Sequence, residues 1–182
     1  MPKRHKDQPP LQLGPLHLRD SVKACLLMLH RFDRIEMPPV IELALVAQVE
    51  EALNCRLPDE IIACFADDVL ENDGFILGEI VDNTAYARKR RHPKDLIAVG
   101  RQELLAFYCI SGACMRHESV QIIDCDNLDG SLNWYDLGLW LEERVESSKE
   151  FFLESATDDE HTTLAEWIPS REELANFIPR LV

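Results

Sequence analysis

Residues 95–126 read DLIAVGRQELLAFYCISGACMRHESVQIIDCD, and the apolar runs in this stretch decide the fold class. Three runs stand out: Leu96-Ile97-Ala98-Val99-Gly100 after Asp95, Leu104 to Ile110, and Val120 to Asp126. Each is too short for a helix and rich in β-branched or aromatic residues, as strands are. Gly112 falls between the second and third runs, and Asn127 to Gly130 follow the third. Glycine and asparagine suit the turns between antiparallel strands. No long helical segment separates the runs, as a parallel βαβ arrangement requires. The expectation is an antiparallel sheet.

Upstream, the apolar period is helical. Val22, Cys25, Leu26, Leu29 and Phe32 recur at helical spacing, with Asp20 or Ser21 as the expected cap. Pro38-Pro39 interrupts the chain. A second helix is expected from about Val40, with Ile41, Leu45, Val49 and Leu53 on one stripe and Asn54 as its stop. Leu57-Pro58-Asp59-Glu60 opens a third helix, whose acids suit the positive end of the helix dipole. Ile61, Ile62, Phe65 and Val69 supply its buried face, and Glu71-Asn72-Asp73-Gly74 turns the chain. Phe75-Ile76-Leu77 reads as a short strand, and Tyr86 to Lys94 as a basic helix or loop.

Downstream, Asp136 is the expected cap of a helix that buries Leu137, Trp140, Leu141 and Val145. One or two further helices are expected in 151–182. Thr163-x-x-Glu166 and Ser170-x-x-Glu173 match capping boxes, and Trp167, Leu174, Phe177 and Ile178 are placed to dock on the core. The order is helices, strands, helices, which is the α+β class. Residues 1–16, with Pro2, Pro9, Pro10 and Pro15, read as a flexible arm. Residues 17–150 form the α+β domain, and 151–182 a helical extension on the same core.

The 182 residues suffice for one core. No apolar run approaches the roughly 18–20 residues that cross a bilayer, and the basic start Met1 to Lys6 leads into no apolar segment. The six cysteines, Cys25, Cys55, Cys64, Cys109, Cys114 and Cys125, sit mostly in apolar periodic segments, so a reduced cytoplasmic setting is expected. The net charge of -14 argues against a general nucleic-acid binder. It suits solubility, or attraction of a basic partner.

Several clusters admit a chemical reading beside a structural one. Cys109, Cys114, His117 and Cys125 carry zinc-ligand chemistry, but without paired C-x-x-C spacing. Cys114 with His117 is a possible nucleophile and base, without the support of a triad, G-x-S-x-G or H-E-x-x-H signature. No metal or cofactor is expected. Asp124, Asp126, Asp129 and Asp136 bracket a turn: either they terminate strands and cap a helix, or they form a patch for a basic partner. Glu142, Glu143 and Glu146 continue the acidic side along the next helix. Trp134 and Tyr135 lie beside it and are residue types enriched at interface hot spots; Trp140 is placed in the core by its helical spacing. The basic run Arg88-Lys89-Arg90-Arg91-His92 reads as an exposed face paired with the protein's own acids, or as a nucleic-acid contact.

From about Val40 to Val145 the sequence resembles the SUKH superfamily, the domain group of the yeast cell-wall-synthesis regulator and of bacterial immunity proteins against polymorphic toxins. The matching signals are Val49-Glu50-Glu51-Ala52-Leu53, then Leu57-Pro58-Asp59-Glu60, then Asn72-Asp73-Gly74, similar to the family's Asn-x-Gly turn. Leu96 to Gly100, Tyr108-Cys109-Ile110, Val120 to Asp124 and the helix Leu137 to Leu141 follow in the family's order. The family often has glycines and an acid between its second and third strands. Here that stretch is Arg101-Gln102-Glu103-Leu104-Leu105, with one acid and no glycine. The resemblance implies a binding module and not an enzyme. Its partner would be a cognate toxin, blocked by occlusion through Asp124, Asp126, Asp129, Trp134, Tyr135, Glu142, Glu143 and Glu146. A regulatory scaffold for another cellular protein and a hydrolase using Cys114 and His117 are the rival expectations. A homodimer is the default oligomer.

Overall fold

The computed structural model describes residues 15–33, 40–65, 68–102, 106–125, 131–155, 157, 167–177 and 179–182. Helix α1 (Asp20–Phe32) comes first, followed by strand β1 (Val40–Ile41), α2 (Leu43–Leu53) and α3 (Asp59–Phe65). Two 3-10 turns (Asp68–Asp73 and Leu77–Glu79) lead into α4 (Ile80–Lys89). Strands β2 (Leu96–Gln102), β3 (Ala106–Ser111), β4 (Gln121–Cys125) and β5 (Leu132–Asp136) follow, then α5 (Leu137–Ser155), α6 (Arg171–Asn176) and β6 (Arg180–Leu181). The α+β expectation holds. The sheet has the order β2-β3-β4-β5, antiparallel throughout. No helix among the described residues is long and apolar enough to cross a membrane.

Side chains alternate across the sheet. Ile97, Val99, Tyr108, Ile110 and Ile122 face the main core, where α1, α3 and α5 add Leu26, Leu29, Ile61, Ile62, Trp140 and Leu141. Phe65, Phe75, Tyr108 and Trp140 form a chain of ring contacts through it. Leu96, Ala98, Phe107, Cys109, Ile123 and Cys125 face the other way, into a smaller cluster closed by Ala87 and Tyr86 of α4. The strands are apolar on both faces, which is why they read as continuous apolar runs.

Two helices end alike. After α2, the N–H of Asn54 bonds to the Glu51 carbonyl and that of Cys55 to the Glu50 carbonyl, with Asn54 at φ 50°. After α4, Arg91 bonds to the Arg88 carbonyl and His92 to the Ala87 carbonyl, with Arg91 at φ 71°. Both are Schellman stops, which favour glycine or asparagine at the left-handed position. Asn54 fulfils the expected stop. Arg91 takes the strained position against its type.

Other expectations are corrected. Phe75-Ile76-Leu77 is not a strand: Phe75 turns into the aromatic core, and Leu77 starts a 3-10 turn. Val40 and Ile41 do not begin α2 but pair in parallel with Arg180 and Leu181. Arg19, not Asp20 or Ser21, is the N-cap of α1. The capping box at Ser170 and Glu173 is present. Phe177 packs on the core and Trp167 lies under the Arg31 guanidinium. Thr163, Glu166 and Ile178 lie outside the described residues. Leu16 packs on the core although it falls in the expected arm.

Candidate functional site

Strand β5 is an edge of the sheet. Its sequence, Leu132-Asn133-Trp134-Tyr135-Asp136, has the aromatic content that suits strands. Register sets the direction of each side chain. Trp134 stands opposite Ile123 and Leu132 opposite Cys125, so both take the face of the smaller cluster. Tyr135 stands opposite Ile122, and Asn133 opposite Asp124, on the main-core face where α5 packs. Their partners on β4 are largely buried, but Trp134 is 54% exposed, Leu132 38% and Tyr135 36%. The expected aromatic pair is therefore at the surface but split between the two faces of one edge.

The chain enters α5 directly from β5, because Asp136 caps the helix: its Oδ1 accepts the Gly138 N–H at 2.8 Å. Its other oxygen accepts from Arg19 at 2.8 Å, and Arg19 also forks onto Glu60 at 2.7 and 2.9 Å. Burial resists ionisation of Asp136, but Arg19 and the N–H groups of Gly138 and Leu139 outweigh it, so its carboxyl lies below the usual aspartate value. The expected cap is correct, and the residue is tied down for structure. Beyond it, Leu137, Trp140, Leu141 and Val145 face the core. Glu142, Glu143 and Glu146 are exposed on the opposite side of the helix. None of the three forms an ion pair with a described residue.

Asp124 is half-buried beside Tyr108, whose hydroxyl is pushed up to about 12 by burial, against the opposing charge of Arg144. Arg144 donates to that hydroxyl and lies 3.4 Å from Asp73. Asp124 thus belongs to the rim of the core more than to an open patch. Asp126 and Asp129 lie outside the described residues.

A second polar cluster escaped the sequence. Glu50, Asp59 and Glu60 are 4%, 1% and 3% exposed, and each is ion-paired. Glu50 binds Arg56 at 2.6 Å, Arg116 at 2.7 Å and the Leu57 N–H at 2.9 Å. Asp59 accepts from the His17 N–H at 2.9 Å and meets His117 Nδ1 at 3.0 Å. These pairs tie α2 and α3 to the β3–β4 loop and to the segment before α1. The two acids expected merely to favour the helix dipole are instead buried anchors.

That geometry also places the candidate nucleophile. His117 is engaged by Asp59, while Cys114 lines a cleft of about 730 Å3 with Cys55, Arg56 and Met115. Burial and then Glu118 push the Cys114 thiol above its ordinary value, away from thiolate. Cys109 and Cys125 are buried in adjacent strands of the smaller cluster, and the Cys125 thiol donates to the Ile123 carbonyl at 3.7 Å. Among the described residues no group of three or more His, Cys, Asp or Glu is disposed to hold a metal.

The basic run is exposed, as expected, but the expected pairing with acids is not found among the described residues. Arg88, Lys89, Arg90 and Arg91 are exposed at the end of α4, and none forms an ion pair with a described residue. Arg90 instead lies over the Tyr86 ring, 5.3 Å from its centroid. A helix C-terminus favours cations without acidic partners. His92 is buried against Phe107.

The chain matches no known protein family, no curated protein and no solved structure.

Proposed function

We propose that this chain is a protein-binding module that neutralises a cognate toxin by covering it, as an immunity protein does. The observation that carries the reading is the exposed β5 edge with Trp134 and Tyr135, on a chain whose following helix also turns Glu142, Glu143 and Glu146 to solvent. Large aromatics in water cost free energy unless a partner covers them, and such residues dominate interface energetics. The SUKH resemblance points to the same class of function. The net charge of -14 suits a basic partner, and a nuclease has a basic substrate face. The mechanism is steric and electrostatic occlusion, with Glu142, Glu143 and Glu146 steering the encounter.

The test is affinity capture by the purified protein from lysate of its own organism, at low and high salt. The expected result is one basic partner, bound more weakly at high salt. A variant with Glu142→Lys, Glu143→Lys and Glu146→Lys should bind it at least tenfold more weakly, as should Trp134→Ala. Finding no partner at either salt, or one indifferent to all these changes, would overturn the reading.

A further inference from the structure

We propose that β5 is a strand-addition site, where an extended lysine- or arginine-bearing segment of the partner joins the sheet as its fifth strand. The inference rests on the protein-binding reading above and names how that partner engages.

The backbone of β5 is available for it. Among the described residues no backbone hydrogen bond is made on the outer side of 132–136. Natural edge strands are usually guarded by lysine, proline, a bulge or a covering element. Leu132-Asn133-Trp134-Tyr135-Asp136 contains no lysine or proline, and the β4–β5 register runs without a bulge. The opposite edge is guarded. Strand β2 has a register break between Ala98 and Gly100 and is packed against α4 and the 68–73 turn.

The side chains argue for a strand over a helix or a flat surface. Leu132 and Trp134 project to one face of the sheet, and Asn133 and Tyr135 to the other. A partner docked on one face would reach only half of them. A strand hydrogen-bonded to the edge places alternate side chains over both faces at once.

Charge then selects the occupant and its pattern. Helix α5 packs on the Tyr135 face with its acids turned to solvent, and the whole chain carries a net charge of -14, which draws a basic segment. The cations of α4 lie on the Trp134 face but at the β2 side, on the order of 14 Å across three strand spacings. That exceeds the screening length of roughly 8 Å at physiological salt. The fitting segment therefore alternates, with apolar residues over Leu132 and Trp134 on one face and lysine or arginine, drawn by the net charge, on the other. A second copy fits less well. Two chains of net charge -14 repel, and two-fold pairing about Trp134 would set Leu132 against Asp136.

The experiment uses the full chain and three blocked nonapeptides of equal charge. One alternates lysine and valine, one has the same sequence with alternate backbone nitrogens methylated, and one carries its lysines and valines in two blocks. Amide hydrogen exchange and Trp134 fluorescence, compared with Trp134→Phe, report binding. The expected result is at least tenfold tighter binding of the alternating peptide, with new protection at residues 132–136. Equal binding of the methylated peptide, or protection that falls elsewhere, would overturn strand addition. Asn133→Pro and, separately, Trp134→Lys should each abolish peptide binding; the second keeps the test alive if the proline variant does not fold. A captured partner that both folded variants still hold would reject strand addition and leave the protein-binding reading standing. Concentration-dependent dimerisation lost in Trp134→Lys would reject it in favour of self-pairing.

Discussion

Strands β2 and β5 both end the same sheet, yet β2 is buried along Leu96–Gly100 while β5 is exposed along Leu132–Tyr135. At β2 the chain closes its own edge. Helix α4 packs against it, and the turn at Gly74 comes so near that an added Cβ would lie 2.2 Å from the Arg101 carbonyl oxygen. A Cβ on Gly100 would meet the Phe75 ring at 2.7 Å. At β5 nothing comparable is found among the described residues, although α5 begins at its very end. Among the described residues, the chain guards one edge of the sheet and leaves the other open. Buried Glu50, Asp59 and Glu60 make the same contrast with exposed Glu142, Glu143 and Glu146: the first three hold elements together, and the second three face water.

Breaking the covered edge should have the largest effect. Gly74 combines a φ of 71° with backbone contact on Arg101. Gly74→Ala therefore adds left-handed strain and a clash that no side-chain rotation relieves. The expected loss is roughly 2–5 kcal/mol, read by urea unfolding. A loss below about 0.5 kcal/mol, the range of ordinary surface changes, would show that the turn yields easily and that β2 is not held as described.

The contrast between the edges also explains what the sequence disclosed. Strands β2, β3 and β4 were legible because burial on both faces leaves long apolar runs, as at Leu96–Val99 and Val120–Ile123. The stops at Asn54 and Gly74 were legible because left-handed positions select residue types. Strand β5 was not: with both faces exposed, Leu132-Asn133-Trp134-Tyr135 shows no apolar alternation. Phe75-Ile76-Leu77 misled in the opposite way, as an apolar run whose residues serve a bend. The roles of Asp59 and Glu60 depend on Arg116 and Arg19, which lie 57 and 41 residues away, so local patterns could not reveal them. Of the candidate site, the exposure of Trp134, Tyr135 and the α5 acids could be anticipated from residue type; the division of the aromatics between two faces required the register.

A smaller effect sharpens the covered side. Arg91 occupies the left-handed position that ends α4, where Asn54 serves the same purpose after α2. Arg91→Gly should stabilise the protein by roughly 0.5–1 kcal/mol, the left-handed strain less the flexibility cost of glycine. Thermal or urea unfolding reads it. A loss of stability would mean that the Arg91 side chain holds α4 over β2 in a way its exposure conceals. On the open side, Trp134→Ala should change stability by less than about 1 kcal/mol, since the ring is 54% exposed. A larger loss would make Trp134 a core residue and remove it from the candidate interface.

The subtlest distinction lies in pH. Burial raises the Asp73 carboxyl above its ordinary value, with Arg144 opposing, and Asp73 sits in the turn that covers β2. Its folded form binds a proton before its unfolded form does, so acidification through its folded pKa favours the native state, until the ordinary value of about 3.9 is passed. Asp136, at the β5–α5 junction, is lowered instead. Its contribution is complete above about 3.9 and is lost as pH falls through its lower folded pKa. Unfolding measured along a pH series should therefore separate the two ends of the sheet. Asp73→Asn should remove stability gained on acidification toward pH 4. Asp136→Asn should remove stability lost below it, and Arg19→Ala should weaken the same acid dependence. If Asp136→Asn leaves the acid limb unchanged, the Arg19 contact does not hold that carboxylate in solution, and the β5–α5 junction is looser than its geometry implies.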